Sequence, residues 1–205
     1  MEQRSEEWFA ARLGRVTASK VADVVARTKT GYGASRQNYM NQLLDELMTG
    51  RKQDGFSNAA MQWGIETEPQ ARAAYEILTG NEVTEVGFVV HPTIDQAGAS
   101  PDGIVGDDGM VEIKCPNTGT HRDFLLTGKI PKRYYLQMQW QMACCQRHWC
   151  DFVSFDPRLT DGSLHCKIER VEACGDTIAD LENEVQLFLS ELNGVLKRIN
   201  QLGEK

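Results

Sequence analysis

The stretch Val111-Glu112-Ile113-Lys114-Cys115-Pro116 constrains the fold of this chain more than any other. Val111, Ile113 and Cys115 alternate with Glu112, Lys114 and Pro116. Extended backbone has a side-chain period of two, so Glu112 and Lys114 share one face and the apolar residues the other. Upstream lies Ser100-Pro101-Asp102-Gly103, and between the two segments stands Asp107-Asp108-Gly109, a tight-turn signal. A chain reversal there makes a hairpin and brings Asp102 beside Glu112.

Two carboxylates a few ångströms apart repel each other unless a cation sits between them. Mg²⁺ or Mn²⁺ suits such a pair, because both accept oxygen ligands and retain water. A lysine on the same face is not a metal ligand. It orients or activates a metal-bound water, or neutralises charge developing on a phosphate. This is the equipment for hydrolysing a phosphodiester. A surface hairpin whose charges are solvated and paired fits the same residues, and the spacing alone leaves both readings open.

A chain of 205 residues is long enough for one sizeable core, so a single domain over 1–205 is expected. Its 41% hydrophobic and 25% charged content is that of an ordinary soluble protein. No apolar run approaches membrane-spanning length, and Met1-Glu2-Gln3-Arg4-Ser5-Glu6-Glu7 is too polar for a signal peptide, so a cytoplasmic protein is expected. The six cysteines then read as reduced, mostly buried thiols. Cys144 and His148 would share a face if the segment were helical, which suggests zinc, but no second ligand pair is evident. The net charge of −7 argues against nucleic acid until its distribution is considered. Between Arg12 and Arg36 stand six basic residues against the single acid Asp23, and between Glu112 and Arg133 five against two. Basic strips flanking an acidic site suit a phosphodiesterase, although each strip also suits a plain solvated face.

Ser5 can cap a helix to Ala11, and Thr17 a second one through Val25. Residues 27–36 lack periodicity and read as a mobile basic loop. Helices are expected over 37–49 and 58–78, the latter kinked or restarted at Pro69. Residues 83–90 are β-rich, and Ala97 to Ala99 lead into the motif turn. Helices follow over 117–126 and 132–145, then strands over 149–155 and 164–171. A long amphipathic helix over 177–202 closes the chain, with Leu181, Val185, Leu189 and Leu192 on one stripe. This order gives an α/β fold with a small mixed central sheet flanked by helices.

Six segments in order resemble the lambda exonuclease family, the YqaJ-type viral recombinases of the PD-(D/E)xK nuclease superfamily. They are Trp8 with Arg12-Leu13-Gly14-Arg15-Val16-Thr17-Ala18-Ser19; Trp63-Gly64-Ile65-Glu66-Thr67-Glu68; Ser100-Pro101-Asp102-Gly103; Glu112-Ile113-Lys114-Cys115-Pro116; Tyr134-Tyr135-Leu136-Gln137-Met138-Gln139; and Phe155-Asp156-Pro157-Arg158. The resemblance implies a restriction-endonuclease-like fold. It implies processive 5′→3′ digestion of one strand of linear double-stranded DNA by a ring-shaped homotrimer, alongside a single-strand annealing protein in recombination. Asp102, Glu112 and the Ile113 carbonyl fall on the family's metal ligands, with Glu68 in support of what would be two Mg²⁺ (or Mn²⁺) ions. Lys114 falls where the family orients the water. Arg12, Ser19, Ser100 and Gln137 match positions that hold the 5′-phosphate, and Met61 the apolar wedge that separates the strands. The chain departs from the family pattern in the 27–36 loop, so no DNA-groove contact is carried over there.

Two other readings use the same residues. One is a structure- or sequence-specific endonuclease on the same core. The other is a catalytically silent DNA-binding recombination protein, which would have no use for clustered carboxylates near phosphate. An iron–sulfur nuclease of the Cas4 type is disfavoured, because the cysteine spacing offers no cluster ligand set.

Overall fold

The computed structural model describes residues 2–52 and 59–203. Helix α1 (Glu6–Arg12) begins where the Ser5 hydroxyl accepts a hydrogen bond from the Trp8 amide. Strand β1 (Val16–Thr17) leads through one 3₁₀ turn, Ala18–Lys20, into α2 (Val21–Val24). The helix expected from Thr17 is therefore shortened. Val16 and Thr17 are drawn instead into a parallel pair with Ala97 and Gly98, and the Thr17 amide donates to the Tyr39 hydroxyl.

The 27–36 segment is not the loop expected. It folds as a hairpin of β2 (Arg27–Thr28) and β3 (Gly31–Tyr32), and α3 (Ala34–Thr49) starts inside it. The cause lies on the C-terminal helix. Glu184 accepts from Arg27 at 2.5 Å and from the Tyr32 hydroxyl at 2.8 Å. Arg36 is buried and makes a two-pronged pair with Glu191 at 2.7 and 3.0 Å. Two of the segment's cations are thus neutralised within the chain, against acids too distant in sequence for local pattern to reveal.

Helix α4 (Ala59–Thr79) runs through Pro69 unbroken; its expected start at Asn58 lies outside the described residues. The β-rich run 83–90 splits into β4 (Val83–Thr84) and β5 (Val89–Val90), which join different sheets. Then come β6 (Ala97–Ala99), β7 (Gly103–Val105), β8 (Gly109–Lys114), α5 (Thr118–Thr127) and α6 (Lys132–Cys145). The chain ends in β9 (Trp149–Phe155), β10 (Cys166–Glu172) and α7 (Gly175–Gly203).

The main sheet has the order β10-β9-β8-β7-β4, with β8 and β9 parallel and the other pairs antiparallel. A smaller sheet, β1-β6-β5, stands apart from it. The expected α/β arrangement with a mixed central sheet between helices is therefore present. Strand β8 is the middle strand of five and is buried along nearly its whole length. Its alternation divides the core. Val111 and Ile113 pack with Ala71 and Tyr75 of α4 on one face. Met110 packs with Phe124, Met138 and Met142 of α5 and α6 on the other. Helix α6 also turns Leu136, Trp140 and Cys144 toward α3 and α7, so it lies between two cores. Glu112 follows Met110 on the α6 side.

The β7–β8 reversal forms where the Asp-Asp-Gly signal predicts it, with Gly103 opposite Val111. Gly103 has to be glycine for reasons of space: a Cβ there would overlap Val83 Cγ1 of the neighbouring strand.

Candidate active site

Asp102 sits just before β7, beyond the last β7–β8 pair, and its Oδ2 accepts from the Ile113 amide at 2.7 Å. The N–H and C=O of one strand residue project to the same side, so the Ile113 carbonyl also points toward Asp102 and away from β9. Glu112 is fully buried. Its Oε1 accepts from the Lys114 ammonium and from Gln137 Nε2 (2.6 Å), and its Oε2 accepts from Gln141 Nε2 (2.7 Å). The carboxylate predicted on a hairpin strand is thus at the centre of the sheet, under α6.

The electrostatics follow from this burial. Loss of solvent, and next the facing Glu112, push the Asp102 carboxyl up to about 8, against the pull of Lys114 and the Ile113 amide. Burial draws the Lys114 ammonium down, but the carboxylates of Glu112 and Asp102 outweigh it and hold the group above its ordinary value. Two carboxylates face one ammonium, and a further positive charge would settle both. Among the described residues no three His, Cys, Asp or Glu side chains form a ready-made metal cage. The donors are two carboxylates and a main-chain carbonyl, all hard oxygens. That set fits a divalent cation that keeps several of its waters, as Mg²⁺ does.

Glu68 projects from α4, and its negative charge adds to the upward push on Asp102. Its oxygens are engaged by Arg4 (3.2 Å) and Arg72 (3.0 Å). Met61 is exposed on the first turns of α4.

Arg12 and Ser100 come together in the structure. The Ser100 hydroxyl accepts from Arg12 Nη1 at 3.1 Å and from Trp8 Nε1 at 2.9 Å. The Arg12 guanidinium lies 4.1 Å from the centre of the Trp8 ring. Burial pulls the Arg12 pKa down, against the opposing pull of Tyr39 and Glu46. Arg12, Thr17, Ser19, Lys20 and Tyr39 line one cleft of about 130 Å³. Ser19 is exposed there, its hydroxyl 3.4 Å from that of Thr17. Gln137 does not hydrogen-bond to this group. It stands on Glu112 instead, because helical spacing sets it one turn from Gln141 over the same carboxylate.

The sixth motif turns out to be a clamp. Asp156 is fully buried and accepts from Arg158 Nε at 2.7 Å and from the Arg158 amide at 3.1 Å. Arg158 in turn donates to the Pro116 carbonyl at 2.9 Å and lies 4.5 Å from the centre of the Trp63 ring. The motif around Trp63 and the one ending in Pro116 are joined through this guanidinium.

Trp8, Gln141 and Arg158 carry contacts that the sequence reading did not assign. The helical i,i+4 spacings of Trp8 with Arg12, and of Gln137 with Gln141, were the available signals. The proposed Cys144/His148 face does not exist, because α6 ends at Cys145 with Gln146 in the left-handed conformation. All six cysteines are free thiols.

The family profile described as the YqaJ-like viral recombinase domain matches residues 7–148. The chain is similar to the crystal structure of an alkaline exonuclease (LHK-Exo) from Laribacter hongkongensis, with 52% identity, 98% of each chain covered and a TM-score of 0.91. Against LHK-Exo in complex with dAMP the identity and coverage are the same and the TM-score is 0.92. A phage-related exonuclease from Haemophilus somnus, 14% identical over 90% of this chain and 96% of that one, has the same fold at a TM-score of 0.70. Among curated proteins none matches.

Proposed function

The chain belongs to the YqaJ-like viral recombinase family, and we propose that it is a Mg²⁺-dependent exonuclease that digests one strand of linear double-stranded DNA processively from its 5′ end. The product would be a 3′ single-stranded overhang for a single-strand annealing protein, in the cytoplasm. The observation that carries this reading is the continuity of the two half-sites. Ser100, which holds Arg12, is two residues from Asp102, which meets Ile113 between Glu112 and Lys114. A cation for phosphate and a carboxylate pair are therefore linked through the short connection between β6 and β7. Similarity at 52% identity to an alkaline exonuclease supports the same reading.

Asp102, Glu112 and the Ile113 carbonyl would hold one divalent ion, and Asp102 with help from Glu68 a second. Bound there, such ions would lower the pKa of a water and stabilise the leaving 3′ oxygen. Lys114 would orient the attacking water and keep positive charge beside the phosphate. Arg12 gives a charge-assisted contact to the terminal 5′-phosphate, with hydroxyls of Ser19 and Ser100 adding neutral ones. After each cut a new 5′-phosphate is drawn into the same contacts, which gives direction. Met61 would serve as the wedge between strands. Gln137 donates one amide N–H to Glu112 and keeps a second N–H that would serve the phosphate.

The test is digestion of a linear duplex with one 5′-phosphorylated end, with Mg²⁺, beside an intact circle and the Lys114→Ala variant. Loss of one strand from the phosphorylated end, an untouched circle and an inactive variant are expected. A cut circle would establish an endonuclease instead. Absence of any Lys114-dependent cutting with Mg²⁺ or Mn²⁺ would establish a binding protein.

A further inference from the structure

The two oxygens of Glu112 are held by partners of different kinds. Oε1 is held by Lys114 and Gln137, both partly exposed and therefore free to exchange partners at the mouth of the site. Among the described residues Oε2 is held by Gln141 alone, at 2.7 Å, and Gln141 is wholly buried on α6. The other end of the Gln141 amide is unusual. Its Oε1 is buried with no hydrogen-bond partner among the described residues. A buried amide normally rotates to satisfy both ends, and here it does not. The opposite orientation would set an amide oxygen against a carboxylate oxygen, so the charge of Glu112 fixes the amide and the amide fixes Glu112.

From this asymmetry, and resting on the metal-dependent reading above, we propose that Gln141 is a positioning residue. It locks the plane of the Glu112 carboxylate through Oε2 and leaves Oε1 as the oxygen presented to the cation. Groups of this kind, which orient a ligand without touching the metal, commonly change metal affinity by roughly 10- to 100-fold when removed. Gln139 supplies an internal control. It is equally buried on the same helix and makes two hydrogen bonds, to the Glu172 carbonyl and from the Cys174 amide, both at 2.8 Å and neither in the site.

The experiment is calorimetric titration of Mn²⁺ into the full chain, with thermal melting in the absence of metal. Gln141→Met removes the donor at similar volume, and Gln141→Leu serves in its place if the first does not fold. Mn²⁺ affinity is expected to fall by roughly 10-fold or more. Gln139→Met is expected to lower the melting temperature while Mn²⁺ affinity stays at the wild-type value. In a Glu112→Gln background, adding Gln141→Met should change Mn²⁺ affinity no further. Wild-type affinity in Gln141→Met, or an equal loss in Gln139→Met, would overturn the positioning role and leave the proposed function standing. No Mn²⁺ binding by the wild-type chain would overturn both.

Discussion

Replacing Lys114 by alanine removes the ammonium that stands on Glu112 Oε1. Turnover is expected to fall by about 10²- to 10³-fold, the usual cost of losing one preorganised charge at a reacting phosphate. The chain should still fold, since the two carboxylates can then share a proton. Circular dichroism beside a single-turnover assay checks both halves. Arg12→Ala acts differently. It removes the guanidinium from Ser100 and the Trp8 ring but leaves Asp102, Glu112 and Lys114 in place. The ratio of rates on 5′-phosphorylated and 5′-hydroxyl ends is expected to drop toward unity, with cutting retained. If the wild-type chain is equally processive on both ends, the phosphate role of Arg12 is wrong.

Elements hold these residues in register through a few contacts that can be tested one by one. The Asp156 carboxyl, though burial raises it, is brought down to about 2 by its bonds from Arg158, well under the 3.8 of an unperturbed aspartate. A carboxyl depressed in this way stabilises the fold above its unfolded pKa and loses that contribution as pH falls through the folded value. Asp156→Asn should therefore lower the urea midpoint at pH 7, by the equivalent of about 2 kcal/mol. The gap to wild type should close between about pH 4 and pH 2. Gly103→Val should destabilise the fold as well, because its side chain would invade Val83 where β7 meets β4; a loss of about 1–3 kcal/mol is the usual cost of such overpacking. Much at this scale was legible in the sequence. The alternation of Val111 and Ile113 with Glu112 and Lys114 located the hairpin, and Ser5 marked the start of α1. The 27–36 segment was not legible, because Glu184 and Glu191 order it from the far end of the chain. Gln141 was overlooked for a related reason. A buried glutamine on an apolar helix is explained only by the carboxylate of Glu112, which a different strand brings to it.

At the scale of the molecule, the sheet and its helices bring Asp102, at the start of β7, to the C-terminal half of β8, where Glu112 and Lys114 flank Ile113. Among the described residues no helix is long and apolar enough to cross a membrane. The family resemblance implies a ring of three chains, for which light scattering should give a mass three times 23.0 kDa. A monomer that is still processive would show that processivity comes from the phosphate contacts alone.

The hydrogen bond from the Ile113 amide to Asp102 has a use of its own. A backbone N–H that donates to a carboxylate responds in its ¹H and ¹⁵N frequencies to the charge on that carboxylate. In a spectrum of the labelled chain, the Ile113 cross-peak is therefore a gauge built into the main chain. It should shift when Asp102 gains a proton and again when a cation arrives, with no DNA present and no bond cut.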